Sequence, residues 1–109
     1  MAYTTIDDSS QYFHIQLYTS NNGYDVSVVN DAHYGDFSPD ILWVKSRYTI
    51  GGYDYNHNLV DTSRGVDKYL WPDDDEPEMT RANANADLKS FDSDGFTTGA
   101  PTHTNSLGG

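Results

Sequence analysis

Four consecutive β-forming apolar residues, Ile41-Leu42-Trp43-Val44, constrain the fold more than any other feature of the chain. They follow the turn signal Pro39-Asp40 and lead into Lys45 and Arg47, two of only six basic residues. A short apolar run bounded by turn residues marks a core strand of a sheet protein. Residues 37–47 are therefore expected to be a buried strand, with Ile41 or Leu42 joining Trp43 and Val44 in the core. The rest of the composition agrees. Of 17 acidic residues, 15 are Asp, which disfavours helix and suits caps, turns and ion sites. Lys, Glu, Ala and Leu are scarce, while nine Gly and nine Tyr complete an all-β profile with many turns.

A chain of 109 residues is expected to form one domain. At this size only about 65% of the unfolded surface is buried, so the stability margin is thin. Cysteine is absent, which removes disulfides and thiolate metal sites as supports. No apolar run approaches the roughly 18 residues of a membrane span, and residues 1–8 lack the basic and apolar regions of a signal peptide. The net charge of −11 leaves no basic stripe to neutralise phosphates and opposes docking on anionic membranes. Neither nucleic-acid binding nor membrane insertion is expected. The charge suits a neutral glycan or a basic protein surface as partner.

Along the chain, residues 1–11 read as a polar arm in which Asp7 or Asp8 caps a single helical turn. Residues 12–99 read as the folded domain and 100–109 as a flexible tail. In residues 12–18 one parity, Phe13, Ile15 and Leu17, is strictly apolar and the other is amphipathic. That is the pattern of a half-buried strand, roughly 23 Å long. With the turn chemistry of Asn21-Asn22-Gly23 and a weaker strand over 25–29, it predicts an N-terminal hairpin. Short strands are expected over 41–47, 59–61, 68–71 and 96–98, and one helical turn within 79–86. Leu88 and Phe91 precede the hairpin signal Ser93-Asp94-Gly95, with Gly95 expected to take positive φ. Short strands at spacings near ten residues indicate a sandwich or barrel.

The motifs stand in a fixed order: Phe-His-Ile-Gln-Leu-Tyr-Thr (13–19), Phe-Ser-Pro-Asp-Ile-Leu-Trp-Val-Lys-Ser-Arg (37–47), Leu-Val-Asp-Thr-Ser-Arg-Gly-Val (59–66), Lys-Tyr-Leu (68–70) and Phe-Asp-Ser-Asp-Gly-Phe-Thr-Thr-Gly (91–99). This order resembles marine bacteriophage structural proteins with concanavalin- or laminin-G-like domains, found in tail fibres and elsewhere on the virion surface. The resemblance implies an antiparallel β-sandwich of jelly-roll or concanavalin type. It implies a non-enzymatic virion protein, of tail-fibre or adhesin type, that contributes to host attachment. Its partners would be other virion proteins, copies of itself, or a host surface glycan. Capsid decoration, cementing neighbouring capsomers, is the alternative. The chain departs from the pattern in two places. Ser20-Asn21-Asn22-Gly23 only approximates the usual turn, and the sequence stops at Leu107-Gly108-Gly109 where such domains continue into a late aromatic strand. Either the molecule is longer than this sequence or a neighbouring chain supplies the missing strand; a sandwich lacking an outer strand exposes an unpaired edge, open to strand addition by a partner.

The candidate ligand-binding loop is rich in rings and amides. Tyr48, Tyr53 and Tyr55, with Asp54, Asn56 and His57, suit sugar stacking and hydroxyl hydrogen bonds. Residues of these types also dominate adaptable protein-binding loops. Asp61 and Arg64 are expected to form a structural brace across the turn 61–65, with a polar ligand anchor as the competing reading. Asp73-Asp74-Asp75-Glu76 with Glu78 is oxygen-rich, which suits calcium, but the spacing of a calcium loop is missing and a solvated loop is favoured. Asp92-Ser93-Asp94-Gly95 matches only half of such a loop. His14, His33, His57 and His103 have no metal-ligand spacing. No cofactor is expected. No nucleophile elbow or glycosidase-type carboxylate pair is present, so an enzyme on the same fold is the least favoured reading.

Overall fold

The computed structural model describes Thr5 and residues 8–19, 26–30, 37–47, 56–80 and 88–99. The fold is all-β. The described residues form a 3-10 turn, Ser9–Gln11, and strands β1 (Val26–Val29), β2 (Ile41–Val44), β3 (Asn58–Asp61), β4 (Lys68–Tyr69), β5 (Met79–Thr80), β6 (Leu88–Asp92) and β7 (Gly95–Thr98). All pairings are antiparallel. β7 is the centre of a three-stranded sheet in the order β1-β7-β6, while β2 pairs with β3 and β4 with β5. A reciprocal pair of 3.0 Å backbone bonds between Leu59 and Leu70 joins β3 to β4, so these two pairs form a continuous strip.

One core serves both groups of strands. Val28, Leu88 and Phe96 come from the three-stranded sheet, and Val44, Val60 and Tyr69 from the strip. Burying each such side chain stabilises the fold by roughly 1.5–3 kcal/mol. Tyr18 adds an edge-on contact to Phe96, with ring centroids 5.6 Å apart. The β6–β7 hairpin forms locally. Asp92 faces Gly95 across Ser93 and Asp94, and a bulge between Leu88 and Ser90 shifts the register once. Asp8 caps the 3-10 turn by accepting from the Ser10 amide at 3.0 Å.

Several expectations are corrected. The N-terminal hairpin does not form around β1, which pairs instead with the distant β7, Val29 standing opposite Gly95. Residues 13–19 are not part of a strand, although their burial alternates residue by residue. Phe13, Ile15 and Leu17 are 68%, 79% and 72% exposed, while His14, Gln16 and Tyr18 are half-buried. Gln16 reaches the β1 backbone, donating to the Val29 carbonyl at 3.2 Å. The expected turn at 21–23 lies outside the described residues.

β2 ends at Val44 rather than continuing to Arg47. Only Leu42 and Val44 of the apolar run face inward; Ile41 and Trp43 stand 66% and 65% exposed. A strand alternates its faces, and this one has solvent on one side. Met79 and Thr80 form a strand against Tyr69 and Lys68, and the rest of the stretch expected to hold a helical turn, 81–86, lies outside the described residues. Here pairing outweighs the helix propensity of Met79. Gly95 is not the left-handed glycine. Among the described glycines that conformation belongs to Gly65, at φ 96°, which closes the turn after Arg64.

Candidate functional site

The outer face of the β2–β3 pair gathers the exposed chemistry. The register sets Ile41 opposite Asp61 and Trp43 opposite Leu59, and burial alternates along β3 so that Leu59 and Asp61 face outward with them. Trp43 is held rather than loose. Its indole N–H donates to His57 Nδ1 at 2.9 Å, and the rings meet edge-on with centroids 5.9 Å apart. Indole nitrogen is only a donor, so this bond requires the His57 tautomer with its proton on Nε2.

The acidic loop positions His57 in turn. The His57 amide donates to Asp73 Oδ1 at 2.8 Å, and Asn56 Nδ2 donates to Asp74 Oδ2 at 3.0 Å. The Asp75 amide occupies the other Asp74 oxygen at 2.8 Å. The loop itself starts from a turn in which the Asp74 amide donates to the Trp71 carbonyl at 3.1 Å. Trp71 is fixed through its indole, which donates at 3.0 Å to Oδ1 of the fully buried Asn58. A chain of contacts thus runs from the core through Asn58, Trp71 and the loop to His57 and Trp43.

Beside Ile41 lies an open depression lined by Asp40, Ile41, Asp61, Thr62, Ser63 and Arg64. Arg64 Nη1 meets Asp61 Oδ2 at 3.3 Å, and its Nε meets Glu78 Oε2 at 3.3 Å. Lys68 Nζ lies 3.4 Å from the other Glu78 oxygen. The Arg64 amide also donates to Asp61 Oδ1 at 2.9 Å, and the Thr62 amide to the Asp40 carbonyl at 3.0 Å. The depression is thus shaped by an ion-pair network and a hydrogen-bonded turn.

The face therefore offers an apolar platform, Ile41 and Trp43, next to hydroxyl, carboxylate and guanidinium groups. Flat rings beside a few fixed polar groups can hold a ligand with one apolar face and several hydroxyls. Of the loop residues expected to carry such a site, Asn56 and His57 lie here. Tyr48, Tyr53, Asp54 and Tyr55 lie outside the described residues. Asp61 and Arg64 sit at the rim of the depression. Sequence reasoning missed Trp43, which it placed in the core, and missed that Asp73 and Asp74 brace the end of the loop. Aspartates in sequence carry no mark of which distant amide they accept.

Among the described residues, no group of three or more His, Asp or Glu side chains is arranged to hold a metal ion. Asp92 accepts from the hydroxyls of Ser90 and Thr97, each at 2.7 Å. The Ser90 bond and then the Thr97 bond favour the charged form, holding its carboxyl below the ordinary 3.8. Asp8 is likewise held below 3.8, first by the Ser10 hydroxyl and then by the Ser10 amide.

Residues 8–108 match the family model described as Domain of unknown function (DUF7483). The chain belongs to that family. The matched span begins at the Asp8 cap and takes in every described strand and the whole outer face of β2–β3. No curated protein and no solved structure matches the chain. The functional reading accordingly rests on the residues themselves.

Proposed function

We propose that this chain is a non-enzymatic surface module of a bacteriophage virion, a small β-sandwich of tail-fibre or adhesin type that contributes to host attachment by holding a surface glycan. One structural observation carries the reading. Trp43 stands outward from β2 with its indole oriented by His57, beside a depression of polar groups. An exposed indole held in place presents a flat face to the apolar side of a sugar ring. Asp61, Ser63 and Arg64 lie where ring hydroxyls would need partners. The chain's charge of −11 favours a neutral glycan over an anionic one. The motif order from residue 13 to residue 99 supports the virion assignment.

The test is binding of the full chain to host cells and to glycans released from their envelope, followed by tryptophan fluorescence. Trp43→Ala is expected to abolish binding while changing stability by less than about 1 kcal/mol, because the side chain is exposed. Undiminished binding by that variant, or purified protein that neither binds host cells nor blocks phage adsorption, would sink the proposal.

A second reading, capsid decoration, has its own observation in its favour. The apolar row Phe13, Ile15 and Leu17 is distinct from the β2–β3 face and suits a protein that works by touching other protein. Mass spectrometry of intact virions separates the two readings. A decoration protein is present at about one copy per capsid subunit or capsomer, and a tail fibre at far fewer.

A further inference from the structure

Residues 13–17 present an arrangement a self-contained domain does not need. Burial alternates residue by residue, as along an extended chain. The half-buried His14 and Gln16 face the protein, and Phe13, Ile15 and Leu17 point to solvent. Gln16 ties the segment to β1, and Tyr18 packs on Phe96, so the row has a fixed base. Among the described residues, no strand pairs with this segment.

We infer that this row is a homodimer interface, in which the segment lies antiparallel against the same segment of a second copy. Four observations argue for that occupant. First, residues 9–24 contain no Asp, Glu, Lys or Arg, in a chain whose net charge is −11. Two copies can therefore meet along this stretch without setting carboxylates against each other, and a basic partner would find no charge here to recognise. Second, a period-two row is self-complementary under a twofold axis. An axis through Ile15 sets Phe13 opposite Leu17 of the second copy, and Ile15 opposite its own counterpart.

Third, the row has no polar residue on its outward side. Interfaces between identical subunits are more apolar than those of transient complexes. Fourth, the exposed apolar area is a large share of what such an interface buries. With the neighbouring exposed Val29, the row offers roughly 400 Å² of apolar surface, about half of the ~800 Å² that each partner contributes to a standard interface. The remainder would come from flanking exposed side chains such as Tyr12.

The absence of cysteine makes the test direct. Sedimentation equilibrium of the full chain is expected to show a species of twice the 12.2 kDa chain mass. Ile15→Asp, which places like charges at the axis, is expected to weaken dimerisation at least ~10-fold, as truncating a central anchor does. The residue is exposed, so unchanged circular dichroism of the variant checks that the monomer stays folded. Ile15→Cys is expected to form a covalent dimer on mild oxidation, whereas Glu76→Cys, in the exposed acidic loop, is not. A chain that remains monomeric up to about 0.1 mM, a concentration far above the Kd of stable dimers, would overturn the inference. So would a dimer indifferent to Ile15→Asp, equal crosslinking of the Ile15→Cys and Glu76→Cys variants, or a row occupied only by a different virion protein. None of these outcomes bears on glycan binding by Trp43.

Discussion

A methyl group built on Gly95 would collide with the Val28 carbonyl oxygen. Gly95 opens β7, the central strand, and is flanked by Val29 on one side and Asp92 on the other. Its glycine is required by this close approach of backbone, not by a left-handed turn. Backbone cannot swing aside as a side chain can, so Gly95→Ala must displace β1. We expect a loss of about 3 kcal/mol, at the upper end of what overpacking causes. Gly65 is required for a different reason, its φ of 96°, and Gly65→Ala is expected to lose about 1–2 kcal/mol from left-handed strain alone. Urea denaturation of both variants checks the order. A Gly95→Ala loss no larger than that of Gly65→Ala would contradict the close approach.

Among the elements, those made by neighbours in sequence were legible. The β6–β7 hairpin follows from its turn residues, and the Asp8 cap from an Asp before Ser-Ser-Gln. What depended on distant partners was not. Nothing in Val26 to Val29 says that it pairs with β7 rather than with the chain just before it. Alternation in residues 13–17 reveals two faces but not which of them is covered. Four apolar residues in a row suggest burial on both faces, yet Ile41 and Trp43 face outward because nothing in the described chain covers that side of β2. The candidate site was legible in part for the same reason. Asn56, His57, Asp61 and Arg64 were visible as chemistry, while Trp43 and its support from Asp73 needed the pairing of β2 with β3 and the fold of the acidic loop. The β6–β7 hairpin also makes a pH prediction. Asp92 bridges the hydroxyls of Ser90 and Thr97, which face each other across the two strands. Its folded-state pKa lies below 3.8, so its contribution to stability is fully present above that value. The contribution is lost as pH falls through the lower, folded-state pKa. Thr97→Val removes one of the two donors and should therefore be less stable than the parent at pH 7. The gap between them should narrow as the pH is taken below 3.8. Denaturant midpoints measured from neutral pH down to about 2.5 would show it. A gap that stays constant would mean that Thr97 acts by packing alone.

At the scale of the whole molecule, repulsion is the dominant electrostatic term. Seventeen carboxylates face six basic groups, giving −11 on a small domain. The attractive side includes the network in which Arg64 and Lys68 share Asp61 and Glu78, at 3.3–3.4 Å and in partly exposed positions. Exposed pairs of this kind contribute about 0–1 kcal/mol each. Salt weakens both terms, since the screening length falls from about 30 Å at 0.01 M to about 3 Å at 1 M. Repulsion acts over the longer range and involves more charges, so it has more to lose. The urea midpoint of the monomeric chain is therefore expected to rise as NaCl increases across this range. A midpoint that falls with NaCl would instead place the Arg64 network above the summed repulsion as the controlling electrostatic interaction of this fold.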